Sequence, residues 1–444
     1  MPRTLLPLVL LFLALAACTG GGTTRAGDVP PGFTPLFNGI DLTGWWGVST
    51  EDPAKWKALP PQKLAEKKAA SLIDINQHWS VQNGELVNDG NGLYLTSEAE
   101  YGDFDLRLDY KTVAKADSGV YLRGLPQVQI WDTTEAGGKW NIGADKGSGG
   151  LWNNPKEWPG HDPLVKADKP FGEWNRLRMV MVGERLSVWL NDQRVVDHAR
   201  MQNYFAKDKA MPRLGPIQLQ THGGEIRWRN VIIRPLPTDE ALGLLRAGGV
   251  DKPTGDDDFT TLFNGKDLSG WKGPVENYEV VDGAIVCQAG KGGTIYAPTT
   301  YKDFTARIEF KLPPGGNNGL ALRYPGEGDT AYVGMCELQV LDTEHPKYAN
   351  IDPRQVHGSA YGMAAAQRGY LNPVGTWNFQ EVTVRGSTIR VELNGTLILD
   401  TDLSKITDYM DGSPHPGKER SEGFFGLAGH NDPVAFRHVR IKAH

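Results

Sequence analysis

Three neighbouring stretches concentrate residues able to do chemistry: NNGLALRYPG (317–326), CELQVLDTEH (336–345) and HGSAYG (357–362). Strand alternation puts Glu337, Gln339 and Leu341 on one face, with Asp342 at the strand end where a loop begins. Arg323, Glu337, Gln339, His357 and Tyr361 are expected to line one concave sheet face. HPGKERSEGFFGLAGH (415–430) adds His415, Lys418, Arg420 and His430. Carboxylate, amide and guanidinium groups hold sugar hydroxyls, and aromatic rings stack on sugar C–H surfaces, so this cluster reads as a carbohydrate site. Polar groups on apolar strands need partners once buried. The plainer alternative is therefore an Arg–Glu pair inside a β-sandwich with no substrate.

A related set stands earlier in the chain: Arg123, Gln127, Gln129, Trp131 and Asp132, followed by GSGGLWNNPKEWPGHDPLVKADKPFGEWN (147–175). Trp152, Trp158, Lys166 and His222 are expected to complete a sugar pocket there. Gln127 stands where Glu337 does, so general-base work in that copy would fall to Asp132 or His222.

The elements that position both sets are repeated. FTPLFNGIDLTGWWG (33–47) returns as FTTLFNGKDLSGWKG (259–273), YGDFDLRLDYK (101–111) as YKDFTARIEFK (301–311), and VWLNDQRVVD (188–197) as VELNGTLILD (391–400). Segments recur in unchanged order, which marks two homologous domains, 33–236 and 258–444. The first copy carries an insert between Trp45 and Trp79, whose Leu64–Leu72 stretch reads as a short helix and is taken as a solvated loop decoration. Residues 235–258 read as a short helix plus linker, the linker proper being 237–257. DLRLDYKT, LSVWLN, TARIEFKL and IRWRNVIIRP alternate apolar and polar residues with period two. Asn83-Gly84, Asp282-Gly283 and Asn394-Gly395 supply hairpin turns. Each repeat is thus expected to be all-β, two packed sheets forming a jelly-roll sandwich. The opening motif is expected to hold the fold: Asn38-Gly39 turns the chain while Phe37, Leu42 and Trp45 plug the sandwich edge.

The 444-residue chain carries a net charge of −6 and no basic stripe, which argues against nucleic acid as a partner. Met1-Pro-Arg3 is followed by TLLPLVLLFLALAAC, the pattern of an export signal rather than a membrane span. L-A-A-C resembles a lipobox, so residues 1–18 are expected to be a lipoprotein signal, with Cys18 lipidated at a membrane and 19–32 a tether. Ordinary cleavage near Ala17 is the alternative. The product would be periplasmic or on the cell surface. Cys287 and Cys336 remain, and two buried thiols are expected ahead of a disulfide.

The LFNGxDLxGW motif, the SGxxLR strand, E-x-Q-x-x-D, G-x-W-N, the LNG hairpin and the closing GH…FR-x-V strand together resemble the 3-keto-disaccharide hydrolase-like family. The resemblance spans both repeats and implies a concanavalin-A-like jelly roll in each. It also implies cleavage of glycosides whose glucosyl C3 is a ketone: a base removes the acidified C2 proton, the C1 group leaves by β-elimination, and water adds to the enone. Carried onto this chain, Glu337 or His357 would be the base, Arg323 or Lys418 the enolate stabiliser, and Asp342 or His430 the partner of the leaving group. No cofactor is fixed by the sequence, although a divalent metal would suit the enolate role. A separate oxidoreductase that makes the ketone is implied by the resemblance alone. A conventional glycosidase would want paired carboxylates, and alternation sets Glu337 and Asp342 on opposite faces. LPQVQIWD (125–132) resembles a branch of the family in which glutamine holds that place. Two other readings compete: a lectin-like glycan-binding lipoprotein, and a structural envelope protein.

Overall fold

The structure, a computed structural model, describes residues 29–253 and 258–444. The expected signal segment with Cys18, most of the tether and part of the linker lie outside the described residues. No helix among the described residues is long and apolar enough to cross a membrane.

The alternating segments form antiparallel strands. In the first repeat an eight-stranded sheet runs through Phe104–Thr112 and Ile226–Pro235. It packs on a five-stranded sheet of order Trp45–Val48, Tyr94–Tyr101, Gly215–Leu219, Asp117–Leu122, Leu125–Trp131. The second repeat pairs an eight-stranded sheet with a four-stranded one, ordered Gly292–Tyr301, Gly423–His430, Asn317–Tyr324, Cys336–Leu341. Both are β-sandwiches whose inward apolar faces meet. Phe304, Phe310, Phe425 and Phe436 fill one core, and Leu86, Leu95, Phe104 and Trp228 belong to the other. The repeated peptide is structural as expected. Phe37 and Trp45 are buried with Leu42 packed against them, and Asn38 accepts from the amides of Ile40 and Asp41 just as Asn264 does from Lys266 and Asp267.

One expectation changes. The insert helix is longer, Pro61–His78. It is also more than solvated decoration, because Ile75 is buried in the first core and Asp74 accepts from the Leu93 amide at 2.6 Å. The short helix expected within 235–258 forms as Thr238–Ala247, and its Ala241, Leu242 and Leu245 join Val180, Val182 and Phe379 in a small core between the repeats. Around it, Glu309 takes both Arg246 and Arg437, and Arg185 reaches Glu392. These contacts seat one repeat firmly on the other. Cys287 and Cys336 are buried free thiols.

A hollow of about 1060 Å³ lies in this seam between Arg185, Arg200, Arg390 and Asp400. Its guanidiniums are held by Glu184 and Glu392, so it reads as a docking seam. Trp158, expected in a sugar pocket, lies here under the Arg200 guanidinium at 4.4 Å.

Candidate functional site

The four-stranded sheet of the second repeat bears the cleft. Glu337 and Gln339 project from Cys336–Leu341, flanked by the neighbouring strand's Asn317, and His430 ends the strand on the far side. The buried Glu337 Oε1 lies 2.7 Å from His430 Nε2. Gln339 donates to Asn317 Oδ1 at 2.6 Å. Two adjoining hollows, about 260 Å³ and 460 Å³, share Asp329, Glu337 and His430. The dyad therefore stands at the junction of two sugar-sized spaces. Tyr332, Tyr348 and Tyr361 supply aromatic walls to the first of them.

Donating a hydrogen bond to the Glu337 carboxylate raises the His430 pKa above the ordinary 6.5, against the opposing effect of burial. A raised histidine pKa means that the ion pair is fully formed below the unfolded value and is lost as pH rises through the folded one. An NMR titration should thus place the His430 midpoint above 6.5, and Glu337→Gln should move it down.

Gly319 makes room for this carboxylate. A Cβ there would lie 2.2 Å from Glu337 Oε1. Gly319→Ala is expected to cost about 1–3 kcal/mol by overpacking. It should also move the carboxylate off His430, which denaturation and the His430 titration together would read.

Several expected site residues are placed elsewhere. Arg323 is buried at the sandwich edge, donating to the carbonyls of Lys302, Gly386 and Arg420 and to Asp303. Its φ of 46° accompanies a bulge between Ala321 and Tyr324, which turns it off the concave face. His357 sits inside the sandwich, stacked on Phe310. Its Nδ1 accepts from the Leu341 amide and its Nε2 meets Gln380 Oε1 at 2.9 Å. Burial pushes its pKa down to about 3 and keeps it neutral. Asp342 accepts from the Gly315 amide at 2.8 Å and so fixes the strand end. His415 stacks behind Tyr332 and donates to Ala331 O, thereby propping a cleft wall. Lys418 and Arg420 bond the carbonyls of Ile406 and Val333 and border a separate hollow beside Arg323.

The first repeat has a cleft of about 280 Å³ at the equivalent place. Gly119 pairs with Gln129 as Gly319 pairs with Gln339, so Gln127 and Glu337 are equivalent. Trp131, Trp152, Gln127, Gln129 and His222 all line it. His222 Nδ1 lies 2.7 Å from Asp117 Oδ2, which also takes the Lys139 ammonium. Asp132 instead accepts from the Lys115 amide at 2.7 Å, matching Asp342. Lys166 bonds Thr133 O, and Arg123 repeats the edge role of Arg323. Asp117, Lys139, Asn317, Asp329 and Tyr332 escaped sequence reasoning. The shared histidine at 222 and 430, visible in the repeat, was the available signal.

Among the described residues no three His, Cys, Asp or Glu side chains converge to hold a metal ion. The first cleft is lined by Asp117 and His222 and the second by Asp329, Glu337 and His430, without such a convergence.

The model of the 3-keto-alpha-glucoside-1,2-lyase-like domain matches residues 32–234 and again 258–442. A 3-keto-disaccharide hydrolase of Bacteroides thetaiotaomicron is 27% identical over 242 residues, 45% of this chain and 83% of that protein. A solved Parabacteroides distasonis protein, described provisionally as a glycosyl hydrolase, is 27% identical and covers 42% of this chain and 100% of its own, with a TM-score of 0.39. A carbohydrate binding module from Bacillus subtilis is 17% identical and covers 42% of this chain and 96% of its own, with a TM-score of 0.24.

Proposed function

The chain belongs to the 3-keto-alpha-glucoside-1,2-lyase-like family, carrying its domain twice, and from that premise we propose that it cleaves 3-keto-disaccharides by elimination and hydration. The observation that carries this reading is the Glu337–His430 dyad at the junction of two sugar-sized hollows. One hollow takes the oxidised glucosyl ring and the other the departing sugar, so the scissile C1–O bond lies over the dyad.

Glu337 removes the C2 proton, made acidic by the C3 ketone, and the electron pair moves into the enolate. Collapse of the enolate restores the ketone, forms C1=C2 and breaks the C1–O bond. His430, whose raised pKa favours the protonated ring, gives a proton to the leaving oxygen. Water then adds across C1=C2, its oxygen to C1 and a proton to C2, completing a net hydrolysis with no redox change. Gln339 and Tyr361 are the neutral donors at hand for the enolate oxygen. The N-terminal sequence supports export and attachment through a lipid at Cys18.

Incubation with 3-keto-trehalose and with trehalose, following free sugar and enone absorbance, tests this. Cleavage of the ketone alone is expected. Cleavage of neither, with glycan binding retained, would leave a lectin. An EDTA arm decides whether a metal takes part.

A further inference from the structure

We propose that the first repeat carries a second active site, built on Asp117 and His222, that takes 3-keto-glucosides with an aglycone no larger than a phenol. It rests on the reaction proposed above and concerns which substrates a separate cleft accepts.

The argument begins with a carboxylate that has changed strands. His430 ends its strand and His222 follows the end of the equivalent one, yet their partners differ. Glu337 comes from Cys336–Leu341, whereas Gln127 holds that position in the first repeat and the carboxylate is Asp117, on the neighbouring strand where the second repeat has Asn317. The histidine–carboxylate contact, 2.7 Å in both, survives the exchange. The side chain of His222 is 58% exposed, so holding it in place adds little to folding. A pure binding face has no need of the pairing; a proton-transfer site does. The imidazoles are also turned. His222 meets its carboxylate through Nδ1 and leaves Nε2 to the cleft, whereas His430 uses Nε2. Lys139, paired with Asp117, brings a cation to the cleft wall that the second cleft lacks among its lining residues, suited to a developing enolate oxygen.

Size sets the substrate. Strand register makes Tyr94, Tyr121 and Gln220 the counterparts of Thr294, Ala321 and Ala428. Thr294 and Ala428 border the second repeat's larger hollow. In the first repeat the tyrosine rings fill that side, 5.4 Å apart, with Tyr94 bonded to Thr50 at 2.6 Å. One space of about 280 Å³ remains, flanked by Trp131 and Trp152. It suits one sugar ring with a short, planar leaving group. The electron and proton balance is that of the elimination above, the phenol leaving with one proton and water adding to the enone.

The test compares the full-length wild type, Asp117→Asn and Glu337→Gln on the α and β 4-nitrophenyl 3-keto-glucosides and on 3-keto-trehalose. Glu337→Gln should lose 3-keto-trehalose cleavage about 10²-fold or more and keep an aryl turnover that adding Asp117→Asn then abolishes, whereas Asp117→Asn alone keeps 3-keto-trehalose cleavage. His222→Gln and His430→Gln, at half-exposed positions, repeat the comparison should either carboxylate variant fold poorly. Loss of both activities in Glu337→Gln, or aryl turnover in Glu337→Gln that adding Asp117→Asn leaves unchanged, would overturn the second site alone. A wild type inactive on every ketone would bring down the shared reaction together with this site.

Discussion

Glu337→Gln is expected to lower kcat for 3-keto-disaccharide cleavage by about 10²–10⁴-fold, the range that removal of a positioned general base costs. The substitution is isosteric, and the space beside Gly319 is cut to this side chain, so the fold should persist. KM should move far less, because the sugar is held by walls that the substitution leaves alone: Tyr332, Tyr348 and Tyr361 on one side, Asn317 and Gln339 on the other. A fall in kcat and kcat/KM together, with KM nearly constant, marks an interaction made in the transition state. A rise in KM with kcat intact would instead make Glu337 a hydroxyl ligand and assign the base to another residue. Because the variant also removes the partner of His430, the alkaline limb of any residual activity should shift to lower pH.

Local pattern made much of this molecule legible. Period-two alternation and Asn-Gly turns announce the strands, and the recurring LFNG peptide announces the duplication. Glu337 and Gln339 were found because they lie two residues apart on one straight strand, where alternation holds. The dyad itself was not legible. Its members are 93 residues apart in the second repeat and 105 in the first, and only sheet order brings them together. Asp117 was hidden for a further reason: the carboxylate had moved to the adjacent strand, so the matching position showed only glutamine. His357 misled in another way. A histidine in a polar loop reads as a ligand, but this loop folds inward, and Phe310 and Gln380 satisfy the ring inside the sandwich.

Arg323 misled because alternation fails at a bulge, and its replacement separates the two roles it could have had. The side chain is 2% exposed and donates to three carbonyls at 2.7–2.8 Å and to Asp303 at 3.0 Å. Arg323→Met would strand those carbonyls and Asp303, and losing one partner of a buried pair costs about 3–5 kcal/mol. Asp303 is 40% exposed and can recover water, which argues for the lower end, about 3 kcal/mol. Arg323→Lys should recover little, since one ammonium cannot reach acceptors spread around a planar fork. The transition of the second repeat should therefore fall in calorimetry, while kcat on 3-keto-trehalose, measured below that transition, stays within about twofold. Arg123 supplies an internal control. It bonds Gly102 O, Pro212 O and Asp103 in the first repeat, with no counterpart of the Gly386 contact, so Arg123→Met should destabilise that repeat. A collapse of kcat in a fully stable Arg323→Met protein would return the guanidinium to the enolate oxygen and displace Gln339 and Tyr361 from that role.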